Sequence, residues 1–221
     1  MAAVRLLAAL LAIVALQSAA APFAVQVGEA RLALDAPAGF ADTTFTGSPR
    51  LQELGESLTS ASNRVLLFAL SDADLRRFTL GDPLELRRYM IAVTSRASER
   101  DRMNEGAFKT LAADSLRELG PLPAAAQYQD YLESRPPGTV STLVELRNEP
   151  DAVSVLQGTR SKGRGFFERS KYMLSSTSLV LVRGKALSLA VFTQYDDAAD
   201  LEWIRTATTR WIDELKRLNS R

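Results

Sequence analysis

Neither cysteine nor histidine occurs anywhere in these 221 residues. Without cysteine there is no disulfide, no thiolate nucleophile, no iron–sulfur ligation and no acylated-cysteine anchor. Without histidine there is no Ser-His-Asp or Cys-His machinery, no histidine-held zinc and no haem on an axial imidazole. Lysine is scarce, 5 residues against 22 arginines. None of the five stands three residues after a serine, which removes the Ser-x-x-Lys pattern, and no Gly-x-Ser-x-Gly elbow occurs. Net charge is +1, without the positive excess of a general nucleic-acid or membrane-surface binder. No cofactor, metal site or catalytic residue is assigned.

The one long apolar run lies at the start. Leu6 to Leu16 (LLAALLAIVAL) follows Arg5 and precedes the small residues Ser18-Ala19-Ala20-Ala21. Eleven residues are too few to cross a hydrocarbon core of ~30 Å, but they suit the apolar segment of a secretory signal. Cleavage after Ala20, with Ser18 and Ala20 as the small residues, avoids leaving Pro22 at the new N-terminus. Residues 1–20 are therefore expected to be a signal peptide. Residues 21–221 form one domain, and the expected address is the bacterial periplasm. The competing reading is an uncleaved anchor.

The mature chain alternates short strands with a few helices. Val25 and Val27, then Leu32 and Leu34, flank a turn at Gly28-Glu29. Pro49 behind Ser48 opens a helix carrying Leu51, Leu54 and Leu58. Val65–Leu70 (VLLFAL) is an apolar run expected as a strand covered on both sides, and Leu86–Thr94 gives another strand. A helix is expected over about 104–119, its apolar arc containing Phe108, Leu111, Ala112, Ser115, Leu116 and Leu119, with a shorter one over 124–133. Strands at Val140–Leu146 and Val153–Val155 flank Asn148-Glu149-Pro150-Asp151. A second hairpin joins Lys171–Val182 to Ala186–Tyr195 across Arg183-Gly184-Lys185. The last helix, about 197–218, lines up Leu201, Ile204, Thr208, Trp211, Ile212, Leu215 and Leu218. This order predicts a single α+β domain, with one antiparallel sheet of six to eight strands and the C-terminal helix packed along a face.

The opening strand Leu32-Ala33-Leu34 running into Pro37-Ala38-Gly39-Phe40, and the Leu201-to-Leu218 helix after a long hairpin, resemble the PsbP-like superfamily of photosystem extrinsic subunits and DcrB-type periplasmic proteins. That resemblance implies an αβα sandwich with a mostly non-catalytic, accessory role, and it brings no catalytic residue.

Charge is unevenly spread. Residues 21–157 carry 14 basic and 19 acidic side chains, whereas 158–195 carry 7 basic and 1 acidic. Within the second stretch Gly158-Thr-Arg-Ser-Lys-Gly-Arg-Gly165 adds three glycines that permit close backbone approach to an anion. Arg160, Lys162, Arg164, Arg169 and Lys171 are therefore the candidate anion-binding residues, expected on one surface. A solvated hairpin connection explains the same residues without a ligand. Lys-Ser/Thr does not follow Gly163, so this is not a Walker loop.

Asp72-x-Asp74 lacks the third ligand and the glycine of a calcium loop, whereas Asp196/Asp197/Asp200 read as helix-start acids. A carboxylate pair of glycosidase type would require acids that meet only in space. Trp203 lies outside the buried stripe of the last helix and is the candidate partner contact. The leading reading is an exported, non-catalytic binding or envelope-accessory factor whose partner is an envelope protein or an acidic ligand. A hydrolase using carboxylates or an oxygen-ligated metal, and a structural subunit of an envelope complex, are the alternatives.

Overall fold

The structure is a computed structural model that describes residues 22–119, 128–161 and 171–220. Seven strands form an antiparallel sheet: β3 (Phe40–Asp42), β4 (Asn63–Ser71), β5 (Arg88–Ser95), β6 (Ser141–Glu149), β7 (Ala152–Ser161), β8 (Lys171–Val182) and β9 (Lys185–Gln194), in the order β3-β4-β5-β9-β8-β7-β6. The long C-terminal helix packs against β8 and β9. This is the expected α+β fold, with one change. The first hairpin, β1 (Phe23–Val27) and β2 (Ala30–Leu34), is a separate two-stranded sheet and not part of the main one. Its alternation predicts strands correctly but cannot say which edge they join, because a period of two is the same for any pairing.

The helices are α1 (Pro49–Ser57), α2 (Asp72–Thr79), α3 (Glu105–Glu118), α4 (Tyr128–Glu133) and α5 (Ala198–Leu218). β3 and α2 are absent from the sequence reading. β3 is only three residues long, too short for a periodicity. In α2 the acids Asp72 and Asp74 form the first turn, and the Ser71 hydroxyl caps it by accepting from the Asp74 amide at 3.1 Å. The expected 124–133 helix is described only from Tyr128; residues 120–127, with Gly120-Pro121, lie outside the described residues.

Residue alternation assigns the two faces. Leu174, Ser176, Ser178, Val180 and Val182 of β8, with Leu187, Leu189 and Val191 of β9, are buried on the face that α5 covers through Ile204, Thr208, Trp211, Ile212 and Leu215. Small hydroxyl residues lie beneath the helix. Ser176 and Thr208 share a hydrogen bond at 2.5 Å, Ser178 donates to Ser154 at 2.8 Å, and Thr208 also donates to the Ile204 carbonyl. Small side chains let the helix approach closely, and every buried hydroxyl among these has a partner.

The opposite face carries α1 on Phe68, Leu70 and Tyr89, and α3 through Phe108 and Ala112 on Val153. Gly55 of α1 lies over the Phe68 ring, where a Cβ would stand 3.0 Å from Cδ1. Leu111, expected in the buried arc of α3, is instead 37% exposed. The helix meets the sheet along a narrow ridge of Phe108 and Ala112, so the rim of the apolar arc stays outside.

The two ends of α5 are fixed differently. Asp197 caps the start by accepting from the Ala199 amide at 2.7 Å, and Asp200 completes a capping box. At the far end Asn219 clips the helix to β2. Its Oδ1 accepts from the Ala33 amide at 2.9 Å, while Nδ2 donates to the Ala33 and Leu215 carbonyls, both at 2.8 Å. The separate hairpin is thereby tied to the helix.

Candidate functional site

The five residues expected to hold an anion are not all described. Lys162, Arg164 and Arg169 fall within 162–170, outside the described residues. The two that are described diverge. Arg160 is paired with Tyr172 and Lys171 with Ser161 in the β7–β8 ladder, so Arg160 and Lys171 project from opposite faces of the sheet. Arg160 donates to the Arg135 carbonyl at 3.0 Å, and its neighbour Tyr172 donates to Glu133 at 2.6 Å. Both contacts steady α4 and the chain that follows it.

β8 also carries the rest of that basic segment away. It is 12 residues long, about 36 Å at ~3.3 Å per residue, so Arg183 and Lys185 stand at the other end of the sheet. There they join basic residues from two distant parts of the chain. The β1–β2 turn, the β8–β9 turn and the 96–103 segment after β5 enclose a cleft of about 550 Å³. Its charged lining is Arg31, Arg100, Arg102, Arg183 and Lys185, with Glu29 the only acid.

Local chemistry builds this cleft. Arg183 and Gly184 both have positive φ, 50° and 76°. These two central residues make the tight turn whose twist suits a hairpin. Arg183 donates to the Arg31 carbonyl at 3.1 Å, joining two of the three walls. The third wall is anchored by Lys185, which is 5% exposed and donates from Nζ to the carbonyls of Glu99 and Asp101 at 2.9 and 2.6 Å. The Met103 amide donates to the Gly184 carbonyl at 2.8 Å. Glu99 pairs with Arg64 at 2.8 Å, and Arg64 also donates to the Gln26 carbonyl.

Gly28, at φ 54°, closes the remaining gap. A Cβ there would lie 2.4 Å from the Glu99 carbonyl oxygen and 2.9 Å from Lys185 Nζ. No larger residue fits between the hairpin and the loop in this arrangement. Among the described residues, Arg31, Arg100 and Arg102 have no carboxylate at ion-pair distance. Their positive charge faces the cleft and solvent.

A second, larger concavity of about 1250 Å³ runs between α5 and residues 35–42, and Trp203 lines it. The Trp203 ring is covered within the chain. Phe40 stacks on it at a centroid distance of 6.0 Å, and the Arg88 guanidinium lies over it at 4.3 Å. Arg88 is held in place by Asp200 at 2.8 Å. Burial alone would raise the Asp200 carboxyl, but the amides of Asp196 and Asp197 and the Arg88 guanidinium outweigh that effect. They hold it below the ordinary 3.8.

Several acids reach the same groove, which is what a carboxylate-based hydrolase would need. Most are engaged. Asp213 pairs with Arg147 at 2.7 Å, Glu214 with Arg217, and Asp42 accepts from the Thr44 amide and hydroxyl. Among the described residues no group of three or more His, Cys, Asp or Glu is placed to hold a metal ion. Asp35 is the acid at odds with its surroundings. Desolvation pushes its carboxyl above 3.8, the Glu214 carboxylate adds to this, and the Ala36 amide and Arg217 oppose it. Its Oδ1 is enclosed without a partner.

A raised carboxyl opposes folding above its folded pKa, and the penalty vanishes below the unfolded value of 3.8. Asp35→Asn is therefore expected to raise the melting temperature modestly at pH 7. The gain should fade as pH falls through the folded pKa toward 3.8. Melting curves against pH check this, and a gain that persists below pH 3.8 would contradict the assigned cause.

The arginine cleft is the site that sequence reading missed. Its one linear signal was the charge excess of 158–195, which includes Arg183 and Lys185. Arg31, Arg100 and Arg102 lie in stretches of mixed charge and carry no such mark. No family model matches the chain, and no curated protein matches it. No helix among the described residues is long and apolar enough to cross a membrane.

Proposed function

We propose that this protein is exported to the periplasm and serves there as a non-catalytic, envelope-accessory binding factor that recognises an anionic group through the cleft between the two hairpin turns. The observation carrying this reading is the convergence of four arginines and Lys185 on one concavity with a single glutamate. Guanidinium groups present paired N–H donors that match phosphate, sulfate and carboxylate oxygens. The cleft walls are braced by main-chain and salt-bridge contacts, which fix the backbone positions from which the exposed arginines reach. The leader-like residues 1–20 support the address. The accessory role agrees with the resemblance to PsbP-like proteins, which rests on sequence residues and element order. The engagement of Asp42, Asp213 and Glu214 within the chain weighs against a carboxylate hydrolase in the larger groove.

Thermal melts in sulfate and in chloride at matched ionic strength test the reading. Sulfate is expected to raise the wild-type melting temperature by about 2–4 °C through ligand linkage. Arg100→Glu should abolish that gain, while Arg160→Glu, at the far end of the sheet, should keep it. Equal sulfate gains in wild type and Arg100→Glu would remove the cleft from the account.

A further inference from the structure

We infer that removal of the leader completes an ion pair: the α-ammonium of a chain beginning at Ala21 is the partner of the Asp35 carboxylate in the larger groove. This rests on the export and cleavage read from residues 1–20.

Register is the first argument. β1 and β2 pair with Phe23 opposite Leu34, Ala24 opposite Ala33 and Val25 opposite Leu32. Continued by one step, that register sets Pro22 opposite Asp35. Directly opposed Cα atoms of an antiparallel pair are about 4.5–5.5 Å apart, and one residue of chain spans at most about 3.6 Å. An amino group on residue 21 is therefore within reach of the Asp35 side chain. In the uncleaved chain the same nitrogen is a neutral amide and carries no charge to offer.

The carboxylate itself is the second argument. Asp35 lines the groove, and its Oδ1 is enclosed without a hydrogen-bond partner among the described residues. Such a group is costly to leave unanswered. The charged groups acting on it are Glu214 and Arg217 of α5. Arg217 is held by Glu214 through two hydrogen bonds, so its charge is already shared. Arg210 lines the same groove but stands two turns of α5 before Arg217, about 10 Å along the axis. The other charges of the hairpin, Glu29 and Arg31, lie toward its turn, at the opposite end from Asp35. A cation is what this acid lacks, and an α-amino group, with an ordinary pKa of about 7.7–8.0, supplies one at neutral pH.

The consequence is a hairpin fastened at its open end only in the processed chain. Every described strand and helix begins after residue 22, so the mature form keeps the whole fold. Intact mass and N-terminal sequencing of the protein from a periplasmic fraction give its first residue, expected to be Ala21. Melting curves at pH 7 then compare that mature form with the full-length chain, each with and without Asp35→Asn. In the full-length chain the substitution is expected to raise the melting temperature, for the desolvation reason given above. In the mature form the sign reverses, to a loss of about 2–4 °C. Selective acetylation of the α-amine of the unsubstituted mature form should cost a similar amount, and after acetylation Asp35→Asn should again raise the melting temperature. A gain from Asp35→Asn in the unacetylated mature form would overturn the ion pair while leaving export and cleavage intact. A periplasmic protein with a first residue other than Ala21 would overturn the ion pair and keep the address. A protein that retains residues 1–20 and is missing from the periplasm would overturn both.

Discussion

Replacing Lys185 by Met is expected to lower the unfolding free energy by about 2–3 kcal/mol, because the Glu99 and Asp101 carbonyls lose a charged donor. The side chain is 5% exposed, and its Nζ reaches the Glu99 and Asp101 carbonyls at 2.9 and 2.6 Å. Methionine fills nearly the same volume, so a cavity is not the cause. Removing a buried charge also relieves its desolvation, which offsets part of the loss. The orphaned carbonyls outweigh that relief because they hold the 96–103 segment against the hairpin turns. The same variant should lose most anion-dependent stabilisation, since Arg100 and Arg102 ride on that segment. Urea unfolding with and without sulfate measures both effects. A change in stability under ~0.5 kcal/mol, the scale of an ordinary surface substitution, would show that Lys185 is not the anchor.

Asn219→Ala is the second large effect, expected at about 2 kcal/mol from three lost hydrogen bonds worth roughly 0.5–1.5 kcal/mol each, less some rehydration. Asn219 is 8% exposed and bonds to both the amide and the carbonyl of Ala33, as a neighbouring strand would, while also holding the Leu215 carbonyl. Alanine cannot replace either polar end. The last turn of α5 should fray and the β1–β2 hairpin loosen with it, and faster exchange of the Ala33 amide reports this directly. Asn219→Asp keeps the acceptor and loses both donated bonds, so its cost should fall only slightly short of the alanine value. Exchange at Ala33 unchanged in Asn219→Ala would separate the hairpin from the helix end.

The two variants act on one structural theme. The first hairpin lies outside the main sheet and is held by non-ladder contacts, with Asn219 at β2 and Lys185, Gly28 and Arg64 at its turn. The anion cleft depends on how this hairpin is seated. Acid should disturb the other end of the molecule first only at low pH. The Asp200 carboxyl is held below 3.8, so its contribution at the start of α5 is complete above that value and disappears as pH falls through the folded pKa.

Much of the fold was legible without coordinates. Of the α5 stripe that a 3.6-residue period predicts, Ile204, Thr208, Trp211, Ile212 and Leu215 are buried, while Leu201 and Leu218 at its two ends are only partly covered. The β8 and β9 strands follow their alternation, whereas β7 is buried on both faces over its first five residues, and Asp197 caps the helix it precedes. These are local properties, in which the residue types and the partners they need lie within a turn or a hairpin of each other.

The site was not local. Arg160 and Lys171 are close in sequence and yet leave the sheet on opposite faces, because successive strand residues alternate. Arg31, Arg102 and Arg183 are far apart in sequence and line one cleft, because the sheet order places the end of β5 beside the β8–β9 turn and the hairpin covers both. Residue order by itself determined which segments are strands and helices, where the positive charge accumulates and which His- and Cys-based chemistries are excluded. Only the tertiary structure decided where that charge is presented, because a long strand carries its two ends to opposite edges of the molecule and long-range pairing chooses their neighbours.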